Sequence, residues 1–433
     1  MRRFSTLRGM MFGFSLAYFL VILDTTVLTI ALPDLRASLG GSLAGQQWAV
    51  NAYTVAFAAA LLTGGAVADR YGAARIFKVG VAAFGVISLL SAAAPHLGVL
   101  IALRALLGLA GALCTGGSMA LLPQLFPDPA ARARATGLWA AITGTALAAG
   151  PLLGGLLVDL SGWRAVFLLN PPIALISLLA MRRVRSPRGH RLIDWRVQAL
   201  ACAFLALVAE ALIDASMVAG ILAAVALAAV VLAERRSKAP ALPGGLLAAT
   251  WPELLAGTVA NFAFAGALFV LTLLLQDTRH LAPLAAGLAF LPLTLPMTVN
   301  PLLTGRLVAR YGPRPPILGG LALLAAGLTG VALTDVAAPW LVVMGFGLSF
   351  VLPALMAGMI NSAPPGTAGT AGGVLNAFRQ VGATLGVAVM GVVSHPLPTA
   401  AVLTALTCAC YGLAARRART AAPPASTGPM RVS

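Results

Sequence analysis

The sequence predicts an all-α integral membrane protein of fourteen spanning helices, and three observations carry that prediction. The first is composition. Of 433 residues, 60% are apolar and 9% charged, and the mean hydropathy is +0.94. A soluble domain carries about 25% charged residues. Twelve acidic and 29 basic residues cannot cover the surface of the two or three soluble domains that this length would make, so lipid is the outer solvent. The second is the regular recurrence of apolar runs near the roughly 20 residues that a helix needs to cross a bilayer. The third is where the basic residues fall between those runs.

Taken in order, apolar stretches bounded by charged residues or by proline and glycine give spans at 10–33, 46–68, 77–95, 98–122, 134–158 and 163–181. An additional pair follows at 194–213 and 216–233, and then 253–276, 284–305, 315–334, 338–361, 368–393 and 398–415. Arg2, Arg3 and Arg8 precede an opening apolar run of 23 residues or so, too long for the apolar core of a cleaved signal and long enough to span. With the N-terminus inside, 24 of the 29 basic residues lie on the inner side; Arg36, Arg164 and Arg279 lie outside, and Arg104 and Arg379 lie within spans. This asymmetry predicts cytoplasmic termini and an even number of crossings. It also accounts for the net charge of +17: the arginines are scattered between apolar runs, without a basic domain for nucleic acid.

Two loops repeat at an offset of 240. Gly65-Ala66-Val67-Ala68-Asp69-Arg70-Tyr71-Gly72 follows span two, and Gly305-Arg306-Leu307-Val308-Ala309-Arg310-Tyr311-Gly312 follows span ten. Equivalent loops on one side of the membrane imply two parallel halves. The expected organisation is a six-helix bundle over 1–181, connections and an inserted helix pair over 182–252, a second six-helix bundle over 253–415, and a disordered cytoplasmic tail over 416–433. Such a repeat is a transporter architecture.

Individual motifs sharpen this. The loop after span two reads Gly65-x-x-x-Asp69-Arg70-x-Gly72-x-x-Arg75; span one carries Leu23-Asp24-x-Thr26 and Ala31-Leu32-Pro33; span four has Arg104-x-x-x-Gly108. Span five has Gly144, then Gly150-Pro151-x-x-Gly154-Gly155, followed by Gly162-Trp163-Arg164, Phe167, Asn170 and Pro172, and span thirteen has Arg379-Gln380-x-Gly382. In this order on these helices, the motifs resemble the major facilitator superfamily, and within it the fourteen-helix drug:proton antiporter branch. Departures are Leu107, Ala146, Thr29, Ala73, Ala74 and, in the second-half loop, Ala309. The resemblance implies a major facilitator fold, a gating role for Gly65, Asp69, Arg70, Gly72 and Arg75, and an antiporter motif at Gly144, Gly150, Pro151, Gly154 and Gly155.

Asp24 lies roughly 13 Å below the outer end of span one and Arg104 roughly 10 Å below that of span four, at 1.5 Å per residue. A carboxylate at that depth is costly and must face protein or a water-filled cavity. The depths are similar, and the resemblance implies that spans one and four lie side by side, so Asp24 and Arg104 are candidates for a pair serving proton coupling; a permanent structural pair is the alternative. Glu210 and Asp214 share a face of span seven and are expected to reach the interface. Asn51, Asn261, Asn300 and Arg379 are in-span polar groups and candidates for a substrate cavity; for the asparagines helix–helix hydrogen bonding is the alternative, and Arg379 is a candidate either to bind an anionic substrate group or to cap backbone carbonyls. Phe262, Phe264, Met356 and Met359 are expected to pack. Cys114, Cys202, Cys408 and Cys410 read as small buried hydrophobes, and the four histidines show no metal spacing.

No catalytic constellation and no phosphate loop is visible, so an enzyme is not expected and ATP is not the energy source. The expectation is a monomeric proton-coupled antiporter without cofactor, powered by the proton gradient and exporting amphiphilic small molecules across a bacterial inner membrane by alternating access. A dedicated exporter of one secondary metabolite, giving self-resistance, and an uncoupled facilitator or uptake symporter are the alternatives.

Overall fold

The computed structural model describes residues 2–125, 129–188, 194–237, 245–334, 336–363 and 368–420, and every regular element among them is helical. The helices are α1 (Arg2–Leu39), α2 (Leu43–Tyr71), α3 (Ala73–Ala92), α4 (Leu97–Leu125), α5 (Pro129–Ser161) and α6 (Arg164–Met181, broken at Leu169). Next come α7 (Trp195–Ile213), α8 (Met217–Arg236) and α9 (Leu246–Thr278, whose last five residues are π-helical). The remainder are α10 (Pro283–Ala289, Leu291–Val299 and Pro301–Tyr311 in succession), α11 (Arg314–Leu333), α12 (Ala337–Ser362), α13 (Ala368–Met390) and α14 (Pro396–Thr420). The helix of α14 runs past residue 415, where the sequence pattern ends the last span, and 421–433 lie outside the described residues.

Among the described residues, ten helices are long and apolar enough to cross a membrane, or eleven when α2, which bends by 54° between Leu61 and Thr63, counts as one. The segments that fall short do so for identifiable reasons. In α10, Pro292, Pro296 and Pro301 each remove a backbone donor, and the helix breaks at Phe290 and Asn300. In α13, Asn376, Arg379 and Gln380 lower an otherwise apolar stretch. The apolar part of α5 that is described, Thr145–Ser161, is short.

Packing follows a rule that repeats every eight helices. α1 packs on α5 as α9 packs on α13; α2 and α3 pack on α4 as α10 and α11 pack on α12; α3 and α1 touch α6 as α11 and α9 touch α14. The cross-contacts obey the same exchange, with α2 against α13 and α5 against α10. The repeated loops are alike in detail. Gly72 (φ +96°) and Gly312 (φ +79°) each end a helix in a conformation that side chains rarely adopt, and each donates its N–H four residues back, to Ala68 and Val308, at 2.9 Å.

Small residues let the paired helices approach closely, the main source of helix association in lipid. A side chain at Gly150 would strike Thr26, and one at Gly154 would meet the carbonyl of Val27; in the second half, Gly382 and Gly386 lie against the carbonyls of Thr258 and Phe262. The two glycine pairs are both spaced four apart, one turn of helix.

The inserted pair packs outside this scheme. α7 lies on α2 and α13, while α8 rests mainly on α7. Ala219, Ala223 and Ala226 form the buried stripe of α8, and Val218, Ile221, Leu222 and Val225 face outward. Trp48 Nε1 donates to Asp214 at 3.2 Å, and Gln198 bonds both Thr63 and the carbonyl of Ala59. Asp194 caps α7, accepting from the N–H groups of Arg196 and Val197. A hydrogen bond from Ser237, at the far end of the hairpin, is the main cause holding the Asp194 carboxyl below its usual range.

Candidate functional site

Tyr18, Ile22, Thr25, Thr26 and Thr29 recur at intervals of three and four along α1, so they share one face, and that face lines a central cavity. From the second half, Asn261, Phe264, Ala265 and Leu268 of α9 and Asn376, Arg379, Gln380, Ala383 and Val387 of α13 line it at the same period. α2, α4, α5 and α12 complete the wall. Both halves therefore supply the cavity, and their interface runs through it. At about 50 Å³ it is well below the several hundred Å³ of a site for a drug-sized molecule, so the surrounding helices stand closed on it.

Asp24 follows Leu23 on the opposite side of α1 and does not line this cavity. It is buried against Arg104, with which it forms an ion pair. Arg104 also donates Nε–H to the carbonyl of Ala49 at 3.0 Å and lies 4.5 Å from the ring centroid of Tyr53. Asn170 Nδ2 donates to the second carboxylate oxygen of Asp24 at 3.4 Å and to Ser88 at 3.0 Å, and Tyr53 donates to the carbonyl of Val21 at 2.9 Å. The pair thus ties α1, α2, α3, α4 and α6 together inside the first half. The sequence indicates the depth of Asp24, but not its rotation about the helix axis.

The four in-span polar candidates divide. Asn261 and Arg379 line the cavity and are joined, Arg379 Nε donating to Asn261 Oδ1 at 3.3 Å and Nη1 to Asn376 Oδ1 at 3.1 Å. Asn51 and Asn300 do not line it. Asn51 is buried on the face of α2 that meets α13, between Gln47, which donates to the carbonyls of Val387 and Ala388, and Thr54, bonded to Thr384 at 2.9 Å. The Asn51 amide has no hydrogen-bond partner among the described residues. Asn300 donates to Ser349 at 2.7 Å and joins α10 to α12. Of the apolar candidates Phe264 reaches the cavity, whereas Phe262 and Met359 are buried elsewhere.

The stretch expected as a loop after span two is helical on both sides of Gly72: Gly65 and Asp69 lie in the last turns of α2 and Arg75 in the first turn of α3. Asp69 and Arg75 are exposed, and nothing lies within 4 Å of where a side chain on Gly65 would sit. Ser186, beyond α6, accepts from the N–H of Ala74 at 2.8 Å, and Lys78 donates to the carbonyl of Val184. The connection after α6 is thereby docked on the start of α3. In the antiporter motif, Gly150 and Gly154 face α1, Gly155 faces Pro283, and the Pro151 carbonyl faces Gly287, so this stretch meets both halves. Gly144 lies outside the residues whose surroundings are described.

Polar contacts between the halves occur from mid-depth to the end away from the arginine-rich loops. Arg36 and Asp277 form an ion pair at 3.0 Å, and Gln276 donates to the carbonyl of Ile30 at 2.8 Å. At the same end Asp34 accepts from the N–H of Trp163 at 2.8 Å, which fixes the start of α6 against α1.

The sequence profile of the Major Facilitator Superfamily matches residues 14–387. The chain belongs to this superfamily. It is 36% identical over 402 residues to the puromycin resistance protein pur8 of Streptomyces alboniger, covering 87% of this chain and 80% of that one. It is 34% identical to the tetracenomycin C resistance and export protein of Streptomyces glaucescens, covering 86% and 73% respectively. Against the multidrug resistance protein Stp of Mycobacterium tuberculosis it is 33% identical, covering 87% and 74%. A bacterial homolog of the human lysosomal transporter Spinster, solved in an inward-facing unoccupied conformation, shares the fold at TM-score 0.69 and 17% identity, covering 97% of this chain and 99% of that one. A peptide transporter solved with sulfate shares it at TM-score 0.72 and 14% identity, covering 95% and 94%. This major facilitator chain is therefore a multi-pass transport protein of the bacterial inner membrane rather than an enzyme, and its relatives are drug and antibiotic resistance proteins.

Proposed function

We propose that this transporter is a proton-coupled antiporter that exports antibiotic-like amphiphilic molecules by alternating access. The observation that carries the reading is the central cavity, shared between two halves that exchange under an eight-helix shift. Rocking of the halves about such a cavity exposes it to each side in turn. Because one chain supplies both halves, a monomer suffices. The fourteen helices are taken as fourteen crossings, with six-helix bundles before and after the inserted pair and both termini cytoplasmic, as the arginine distribution favours. On that orientation, the Arg36–Asp277 end is the outer end, and it is closed.

The coupling proton is assigned to Asp24. Protonating it removes the charge that compensates Arg104, loosening α1 from α4, while Thr25 and Thr26 in the same turn of that helix face the cavity. Coupling is then relayed along α1; in the conformation described, substrate does not compete for the carboxylate directly. Asp69, Arg70 and Arg75 act as the inner gate in this reading, and the glycines of α5 form its sliding face.

The test is everted vesicles energised to an acid interior, with a pH-sensitive dye and a panel of antibiotics, in parallel with susceptibility of an efflux-deficient host. Raised resistance, together with proton release on adding a compound, is expected. Export that persists undiminished after a protonophore collapses the gradient would overturn the coupling. Unchanged susceptibility to every compound, with the protein in the membrane, would overturn drug export.

A further inference from the structure

The central cavity contains one formal charge. Among its lining residues Arg379 is the only ionisable side chain apart from Tyr18. Asp24, next in sequence to the lining residue Thr25, does not line the cavity and is committed to Arg104. Among the described residues no carboxylate lies within ion-pair distance of Arg379. Its hydrogen bonds go to two neutral amides, Asn261 and Asn376. A guanidinium has five N–H donors in a rigid fork and no acceptor, and these two bonds hold the fork in place and are the ones it makes among the described residues.

A cation held mid-membrane without a counter-charge is costly, and an anion entering beside it removes that cost. The rest of the wall suits an amphiphile: the threonine hydroxyls of α1 on one side, and Phe57, Phe264 and Leu268 on another. We propose that the cavity selects organic anions: molecules with an apolar, ring-bearing body and one carboxylate or ionised phenol or enol, which Arg379 grips as a fork while Asn261 and Asn376 hold its geometry. Cations are disfavoured by like charge at the same point. This rests on the reading that the central cavity is the substrate site, and it narrows the substrate class of that site.

The experiment uses the purified full-length transporter in detergent with three probes of one ring system: 1-pyrenebutyrate, the neutral pyrenebutanamide and the cationic pyrenebutylamine. Binding is read by fluorescence anisotropy at fixed pH and salt. The carboxylate is expected to bind about tenfold more tightly than the amide, a modest difference for a charge-assisted hydrogen bond, with the amine weakest. Arg379→Gln is expected to bring the three affinities to within about threefold of one another, and Arg379→Lys to retain part of the preference, since it keeps the charge and loses the fork. Should Arg379→Gln fail to yield folded protein, Asn261→Ala with Asn376→Ala releases the fork without removing the charge and is expected to weaken carboxylate binding selectively. A carboxylate that binds no more tightly than the amine, or a preference unchanged in these variants, overturns the inference. Resistance and vesicle export, measured separately, decide whether the chain exports drugs at all, so the two failures are distinguishable.

Discussion

Two arginines within the helices, one buried and one part-buried, sit in different environments. Arg104 has a carboxylate, a carbonyl and an aromatic face around it and is closed off from the cavity. Arg379 has two amides and faces the cavity. A charge neutralised within its own half serves the scaffold and whatever titrates it. A charge left without a counter-ion at the interface of the halves is addressed to something that enters from outside. The same residue type therefore does different work, and the difference lies in what the neighbouring helix presents.

The sharpest way to break this comparison is to unbalance the first site. Asp24→Asn leaves Arg104 buried without a counter-charge, a change that costs about 3–5 kcal/mol in folded proteins. A large fall in thermal stability is expected alongside loss of coupling. Replacing both partners, Asp24→Leu with Arg104→Met, is expected to recover much of the stability without recovering transport. Arg379→Gln, which removes a cation without a counter-charge, is expected to leave stability unchanged or to raise it. Unfolding midpoints in detergent check all three, and equal losses for Asp24→Asn and Arg379→Gln would erase the distinction.

A smaller effect is expected at the far end. The Arg36–Asp277 pair is part-exposed, with 44% and 29% of the side chains accessible, so its contribution to stability is screened and on the order of 0–1 kcal/mol. Its larger consequence is conformational, because it joins the two halves. Arg36→Gln is expected to raise accessibility of the cavity from that end, measured as labelling of a cysteine placed at Thr29, with added salt mimicking the variant in the wild type. The smallest effect belongs to Asp194. Its carboxyl is held below the usual range by Ser237 and by the start of α7. Its stabilisation is present above the unfolded carboxyl value of about 3.9 and is lost as pH falls through the folded value. Asp194→Asn keeps the cap and is expected to differ from wild type at neutral pH and to converge with it in acid.

How much of this was legible in the sequence depends on the kind of signal. Apolar length marks helical stretches because it is a one-dimensional pattern, and so is the repeat of the two loops at an offset of 240. The depth match of Asp24 and Arg104 also survives in one dimension. Rotation does not: Asp24 and Thr25 are neighbours in sequence, yet only Thr25 lines the cavity, and Asn51 and Asn300 sit at helix contacts rather than in the cavity. The breaks in α10 were legible only as prolines within an apolar run, which does not say whether a helix bends or stops. The bonds of Trp48 to Asp214 and of Gln198 to Thr63 join segments more than a hundred residues apart, and nothing local in the chain announces them.

The placement of the inserted pair has a consequence for how the protein faces lipid. The two seams where the halves meet, α2 with α13 and α5 with α10, are equivalent by the eight-helix exchange, but α7 lies across only the first. Among the described residues, α7 covers that seam and no helix of the inserted pair covers the other. The two flanks of an otherwise repeated architecture are therefore unequal toward lipid: one carries an extra layer of helix and the other does not.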